Sequence, residues 1–528
     1  MIEFLKKIFC EILLGIILIV FIILKIEDLF LPLFWDEAWV YGPSIIEMSK
    51  GFPSLIPSIE NIELQRGHPL LFHFLGGIWV KLFGQSLFSL HSFPLLISLV
   101  TLISLYVITF KITQKKITGL FSVIILIVQP IFFIQSSIIL PEIMLALFAI
   151  WALYFYFIEN KIGYLISSSL LLYTKESGVV LIILLLLLEL FKLIFIYANK
   201  RDSIKFIGII LSPLLIISIH FIVQKLKFGW YFFPEHINYV EIDYETVKAK
   251  IKSVFNFIFE EQGRITFSYL LPISIIIGFN NSKIWKRVLV LLFLYSIVKL
   301  MFNRWDIAKY INEIISILLI SSIPFIFLHE IKENNKKIYL SITIILFIIS
   351  HSIFSSINFI SFRYLIIIFP LLILIIVILI DNSKTNYNYL LLISTSIIVS
   401  LFNINSINND KHIGDTNFNY RNAVKVQQKT ISYLKKMKLE NTKIYTSFII
   451  QNALSSSYSG YITDNKFFTR IHNNSNEKDI EYYIFTNIEE DENKETILAK
   501  NQVELILKIE SGIVFSEIYK SKTPTLSP

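Results

Sequence analysis

Apolar stretches about as long as a bilayer-spanning helix, roughly 20 residues, follow one another along most of this chain. This recurrence limits what the chain can fold into more than any other feature. With 55% apolar and 17% charged residues among 528, an ordinary soluble enzyme, a disordered protein and a fibre are all excluded. The reading is a membrane all-α protein. The net charge of +8 comes from basic residues scattered between apolar segments, which is a topology signal and argues for no nucleic acid partner. Cys10 is the only cysteine, so one chain can form no disulfide framework, CxxC pair or cysteine metal site.

Spans are expected near 8–24, 92–110, 117–134, 143–157, 163–174, 177–197, 204–223, 265–279, 288–300, 307–328, 338–357, 364–380 and 389–404, about 13 transmembrane helices in all. The first reads as an uncleaved signal anchor behind Lys6 and Lys7, with the N-terminus cytoplasmic. Lys111, Lys115 and Lys116, Lys161, Lys200, Arg201 and Lys205, Lys283, Lys286 and Arg287, Lys332, Lys336 and Lys337, and Lys384 then share the cytoplasmic side, as the positive-inside rule requires. Lys175 and Glu176 interrupt the apolar region 163–197, which reads as a tight hairpin turning outside. One long helix there would flip every later loop and strand the basic clusters on the wrong side.

A first external loop, 25–91, is too charged for hydrocarbon and carries juxtamembrane helices at 38–48 and 69–83. A second, 224–264, holds Trp230, Tyr231, Phe232, Phe233 and Pro234, read as an interfacial anchor, with substrate contact as the alternative. Residues 1–404 thus form a multi-span transmembrane domain, and 405–528 a small external soluble α/β domain. That domain is built from an amphipathic helix at 422–437 and apolar runs at 443–448, 482–486, 503–509 and 513–519. No internal repeat, P-loop, GxGxxG or HExxH is present.

Four charged clusters stand at external span ends. Phe34-Trp35-Asp36-Glu37-Ala38-Trp39 sets two carboxylates between tryptophans, an environment that can tune a general base or simply anchor an interface. In Gln65-Arg66-Gly67-His68-Pro69-Leu70 the arginine fork suits phosphate, and His68 can donate hydrogen bonds or bind metal. The plainer reading is a snorkelling arginine beside a turn. His68 and His73 are five apart on a broken pattern, a weak basis for a zinc site. Glu142 ends an uncharged run and needs a partner or water, or serves only as the acid of a helix N-terminus. Lys175 and Glu176 sit at the hairpin tip, either paired with each other or lining a site.

Together with Leu82-Phe83-Gly84-Gln85-Ser86, Thr174-Lys175, Arg363-Tyr364 and Phe369-Pro370, these motifs resemble the first external loop and late spans of GT-C membrane glycosyltransferases. The resemblance is to glycosyltransferase family 39 and its bacterial relatives, the protein mannosyltransferase and aminoarabinose transferase group, and it covers roughly residues 1–404. It implies an inverting transferase of the cytoplasmic (inner) membrane. Such an enzyme moves a sugar from a polyprenyl-phosphate donor to a lipid, glycan or protein acceptor on the external face. It implies Asp36 as catalytic base, and Glu37, Arg66, His68, Glu142, Lys175, Glu176, Arg363 and Tyr364 as donor- or acceptor-binding residues. No cofactor is implied, although a divalent metal is compatible. The family's second acid is often Asp where Glu142 stands, and some relatives carry Lys at the position of His68. A polysaccharide polymerase or ligase is the rival enzyme, expected to lack the early Asp-Glu loop. A transporter or flippase, which can place charges in broken helices at mid-membrane, is the rival of another class and gains ground if Asp36, Glu142 and Lys175 lie far apart.

Overall fold

The computed structural model describes residues 2–57, 66–195, 200–278, 336–382, 388–407, 411–464, 466–474, 477, 479–491 and 493–522. The expected spans 288–300 and 307–328, and the basic residues Lys283, Lys286, Arg287, Lys332 and Lys384, lie outside them. Among the described residues seven helices are long and apolar enough to cross a bilayer: Ile8–Phe30, Leu87–Thr113, Glu176–Phe195, Ile204–Phe228, Lys336–Ile357, Phe362–Asn382 and Asn388–Ile407. Shorter apolar helices accompany them, including Lys116–Ile127 and Glu142–Phe157.

Burial separates the core helix from the lipid-facing ones. Phe362–Asn382 is 94% buried, whereas Ile8–Phe30 is 17% buried and leaves Ile12, Ile16, Ile19 and Ile23 exposed. A helix apolar all round belongs in the middle of a large protein, and exposed isoleucines need hydrocarbon in place of water. This is a multi-pass membrane architecture.

The core helix also gives the molecule two ends. At one, Asp381 accepts ion pairs from Lys115 (2.8 Å) and Lys337 (3.2 Å), and Lys116 meets Glu11. At the other, some 18 residues or about 27 Å along the axis, Arg363 gathers carboxylates. Basic loops far apart in sequence therefore do share one end.

Several boundaries differ from the sequence reading. The expected span 117–134 breaks into Lys116–Ile127 and Pro130–Gln135, because Pro130 has no N–H to donate and disfavours helical backbone at Gln129. The second loop begins later than expected, since Lys200–Phe228 is one continuous helix. The hairpin exists: Lys161–Thr174 ends at Lys175, Glu176–Gly178 turns, and Val179–Phe195 returns. Its two charges do not pair with each other as their main contacts. Lys175 bonds to Glu142 and Glu176 to His68.

After the last described apolar helix, Asn419–Lys436 packs on a five-stranded sheet of order β2-β1-β3-β5-β4. Its strands are β1 Ile444–Thr446, β2 Ile471–His472, β3 Tyr482–Thr486, β4 Val503–Ser511 and β5 Val514–Ser521. β1 runs parallel to β2 and β3, while β3-β5 and β5-β4 are antiparallel. Arg421 ties this part to the first helix by a fork onto Asp28, Nε to Oδ1 at 2.7 Å and Nη2 to Oδ2 at 2.8 Å.

Candidate active site

At the Arg363 end lies a cavity of about 690 Å³, and its lining includes Asp36, Arg66, His68, Lys175, Glu176, Arg363 and Tyr364. Seven of the nine residues singled out in the sequence thus meet in one space. They arrive from the first loop, the hairpin tip and the start of the core helix.

Asp36 is held by contacts from both sides. Trp39 Nε1 donates to its Oδ1 (3.1 Å), and Arg363 Nη2 makes a short hydrogen-bonded ion pair with Oδ2. Burial alone would raise this carboxyl, but the Arg363 charge and hydrogen bond, the Trp39 bond and the Lys175 charge outweigh it and hold Asp36 below the usual range. It is an ionised carboxylate facing a cavity. Its neighbour Trp35 has φ 53, a backbone region costly for a bulky side chain, and such strain persists only where the surroundings enforce it.

Arg66, at φ 44, stacks over Trp39 (4.6 Å) and pairs with Glu235 (2.5 Å), whose side chain is half exposed. The turn depends on Gly67. At φ +70 a Cβ there would come within 3.0 Å of Phe233 and Trp230. The aromatic cluster of the second loop therefore packs against the turn that carries Arg66 and His68. Its Phe233 ring also lies 5.5 Å from Arg66.

Glu37 and Glu142 do not line the cavity. Glu37, 1% exposed, accepts from Phe34 N–H (2.8 Å) and Ile139 N–H (3.0 Å), clamping the Asp36 loop to the chain before Glu142. Burial pushes its carboxyl up, against the nearby His91 and these two bonds. Glu142, equally buried, accepts from Lys175 Nζ (2.9 Å) and lies 3.7 Å from Arg363 Nε. It stands behind the cations. Lys175 in turn sits 3.6 Å over the Tyr364 ring.

Among the lining residues that the sequence did not single out are Asp415 and His236. Asp415 accepts from Arg363 Nη1 (2.7 Å); burial pushes its carboxyl up despite that arginine, with Asp36 and Glu142 adding to the rise. Its position just past the last span, in a polar stretch, gave no signal. His236 hid in the aromatic segment. Its ring lies 4.8 Å from that of His68, and His68 Nδ1 is 3.0 Å from both oxygens of Glu176. The ligand atoms of His68, Glu176 and His236 all fall within 4.8 Å of one another, so these three could hold a divalent cation. Burial and the His68 charge bring His236 down to about 4, which keeps it neutral as a ligand must be.

Comparison with known proteins bears on the fold and the family resemblance. A family model described as dolichyl-phosphate-mannose-protein mannosyltransferase matches residues 67–224, a stretch that contains His68, Glu142, Lys175 and Glu176. The crystal structure of ArnT from Cupriavidus metallidurans bound to undecaprenyl phosphate superposes over 95% of this chain and 97% of its own, with TM-score 0.50 at 10% identity. This chain has an ArnT-like GT-C fold. The apo state of the same ArnT covers the same shares at 10% identity, with TM-score 0.43. No curated protein matches the sequence. The resemblance to the GT-C protein mannosyltransferase and aminoarabinose transferase group therefore stands. Asp36, Glu142 and Lys175, whose wide separation would have favoured a transporter, are linked through Arg363 and one another at one end of the fold.

Proposed function

We propose that the chain is a membrane glycosyltransferase that transfers a sugar from a polyprenyl-phosphate donor to a hydroxyl acceptor, with inversion, at the external face of the cytoplasmic membrane. The observation that carries this reading is one ionised carboxylate, Asp36, in the wall of a cavity whose rim also holds Arg66, Lys175 and Arg363. That undecaprenyl phosphate binds the ArnT of like fold supports a lipid phosphate as donor.

In this reading the acceptor O–H donates to Asp36. As the acceptor oxygen bonds to the anomeric carbon from the face opposite the phosphate, the C1–O–P link breaks on the carbon side. The proton ends on Asp36 and the electron pair on the departing polyprenyl phosphate. A phosphate leaves readily, so gathering its charge matters more than a strong acid. Arg66 is the cation best placed to do so, because an exposed ion pair such as Arg66–Glu235 is worth about 0–1 kcal/mol and is cheaply exchanged for phosphate. Arg363 is committed to Asp36, Asp415 and Glu142, and its part is to hold the base in place. Glu37 and Glu142 act from behind, on the loop and on Lys175.

The test is purified protein with a polyprenyl-phosphate-linked sugar and a hydroxyl acceptor, the product linkage read by NMR. An anomeric configuration opposite to the donor's supports the mechanism. Retention, or no transfer from any such donor, rejects it.

A further inference from the structure

Asp36 belongs to two cavities. Besides the large one, it lines a second of about 140 Å³ with Trp35, Trp39 and residues of the C-terminal part: Gln427, Phe448, Asn452 and Glu489. This size is close to that of a protein cavity known to take up one benzene ring. Trp39 and Phe448 meet edge-on at 5.2 Å and form an aromatic wall. Two of its lining residues carry buried amide atoms without a protein partner. Gln427, only 1% exposed, accepts from the Tyr461 hydroxyl through Oε1 while its Nε2 has no partner. Asn452 Oδ1 is likewise buried without one. Buried amide groups left unpaired are costly, and a ligand bearing both donors and acceptors relieves that cost.

We propose that this pocket seats one uncharged sugar ring of the acceptor, so that the acceptor is a glycan offering a hydroxyl to Asp36. The inference rests on the transferase reading above and names its acceptor class. A pyranose presents C–H faces to aromatic rings and hydroxyls that both donate and accept, matching the Trp39 and Phe448 rings and the amides of Gln427 and Asn452 among the lining residues. No lysine or arginine lines this pocket, and its two charged members, Asp36 and Glu489, are acids. A phosphate or carboxylate acceptor would be repelled there. The donor's phosphate, by contrast, has Arg66, Lys175 and Arg363 in the other cavity. Asp36 stands where the two spaces adjoin, which is where a base between donor and acceptor must be.

The experiment is saturation-transfer-difference NMR on the full-length protein in detergent, with methyl α-D-glucopyranoside and methyl α-D-mannopyranoside as probes at millimolar concentration. Glucose 1-phosphate and a blocked serine tripeptide serve as competitors. At least one glycoside is expected to show ring-proton saturation that neither competitor removes, with about tenfold weaker binding in Gln427→Leu or Asn452→Leu for each lost hydrogen bond. Phe448, 41% exposed, allows a variant that does not disturb the core, and Phe448→Ala is expected to weaken the same signal. Absence of saturation for both glycosides, equal binding in all three variants, or displacement by the tripeptide or the sugar phosphate overturns the proposal. Undecaprenyl phosphate binding, measured on the same samples, separates the two readings. Its failure with glycoside binding intact rejects the lipid donor and leaves this pocket standing.

Discussion

Replacing Arg363 with Gln removes the cation that, among the described residues, Asp36, Asp415 and Glu142 share. The arginine is 5% exposed, bonds directly to Asp36 and to Asp415 (2.7 Å), and lies 3.7 Å from Glu142. Removing one partner of a buried ion pair costs about 3–5 kcal/mol, because the other charge is left uncompensated. Here two directly bonded carboxylates lose their partner, so the upper half of that range is expected. A second effect follows for Asp36. Its depressed carboxyl contributes stability that is present above the unfolded value of about 3.9 and is lost as pH falls through the lower folded value. Without Arg363 the carboxyl rises, that contribution goes, and the acid limb of transfer activity moves to higher pH. Adding Asp415→Asn to Arg363→Gln removes one of the stranded charges and restores about 1 kcal/mol or more. Denaturant midpoints in detergent and pH-activity profiles read both effects. An Arg363→Gln protein with unchanged midpoint and unchanged acid limb would refute the idea that this guanidinium holds the base.

Three further outcomes are expected. Glu37→Ala strands two buried N–H groups, those of Phe34 and Ile139, at about 1–3 kcal/mol each; Glu37→Gln, which retains one acceptor oxygen, should lose less in the same denaturation measurement. Arg421→Ala opens the fork onto Asp28, costs about 1.5–3 kcal/mol as a charged hydrogen-bonding contact, and speeds proteolytic cleavage after residue 407. His236, brought down to about 4, contributes stability that is full above its ordinary value of about 6.5 and is lost as pH falls from there through 4. His236→Gln should therefore flatten the stability profile within that window.

Much of the site was legible because charge is scarce in this chain. Asp36, Arg66, Lys175 and Arg363 stand out against apolar runs, and a charge at a span end needs a reason. Their convergence followed from topology, since alternating spans bring every second span end to the same side. Roles were harder to read. Nothing in Glu37 says that it will clamp backbone N–H groups while Asp36 beside it faces the cavity; that depends on the strained turn at Trp35. Lys175 and Glu176 looked like natural partners, yet adjacent residues at a helix break point apart, toward Glu142 and His68. Asp415 and His236 were missed because their surroundings are polar or aromatic, where one more polar side chain carries no contrast. The break at Pro130 was written in the sequence, but the apolar run around it hid the proline's effect.

In the proposed mechanism Asp36 takes the proton and does not bind the donor. Asp36→Asn keeps the side chain's shape and its acceptor oxygen while removing the basic charge, so the deciding measurement compares undecaprenyl-phosphate affinity with the single-turnover transfer rate in this variant. Affinity within a few-fold of the parent, with transfer slowed at least about a hundredfold, the usual scale for a lost general base, is the result expected. Transfer at the parent rate in Asp36→Asn contradicts the mechanism.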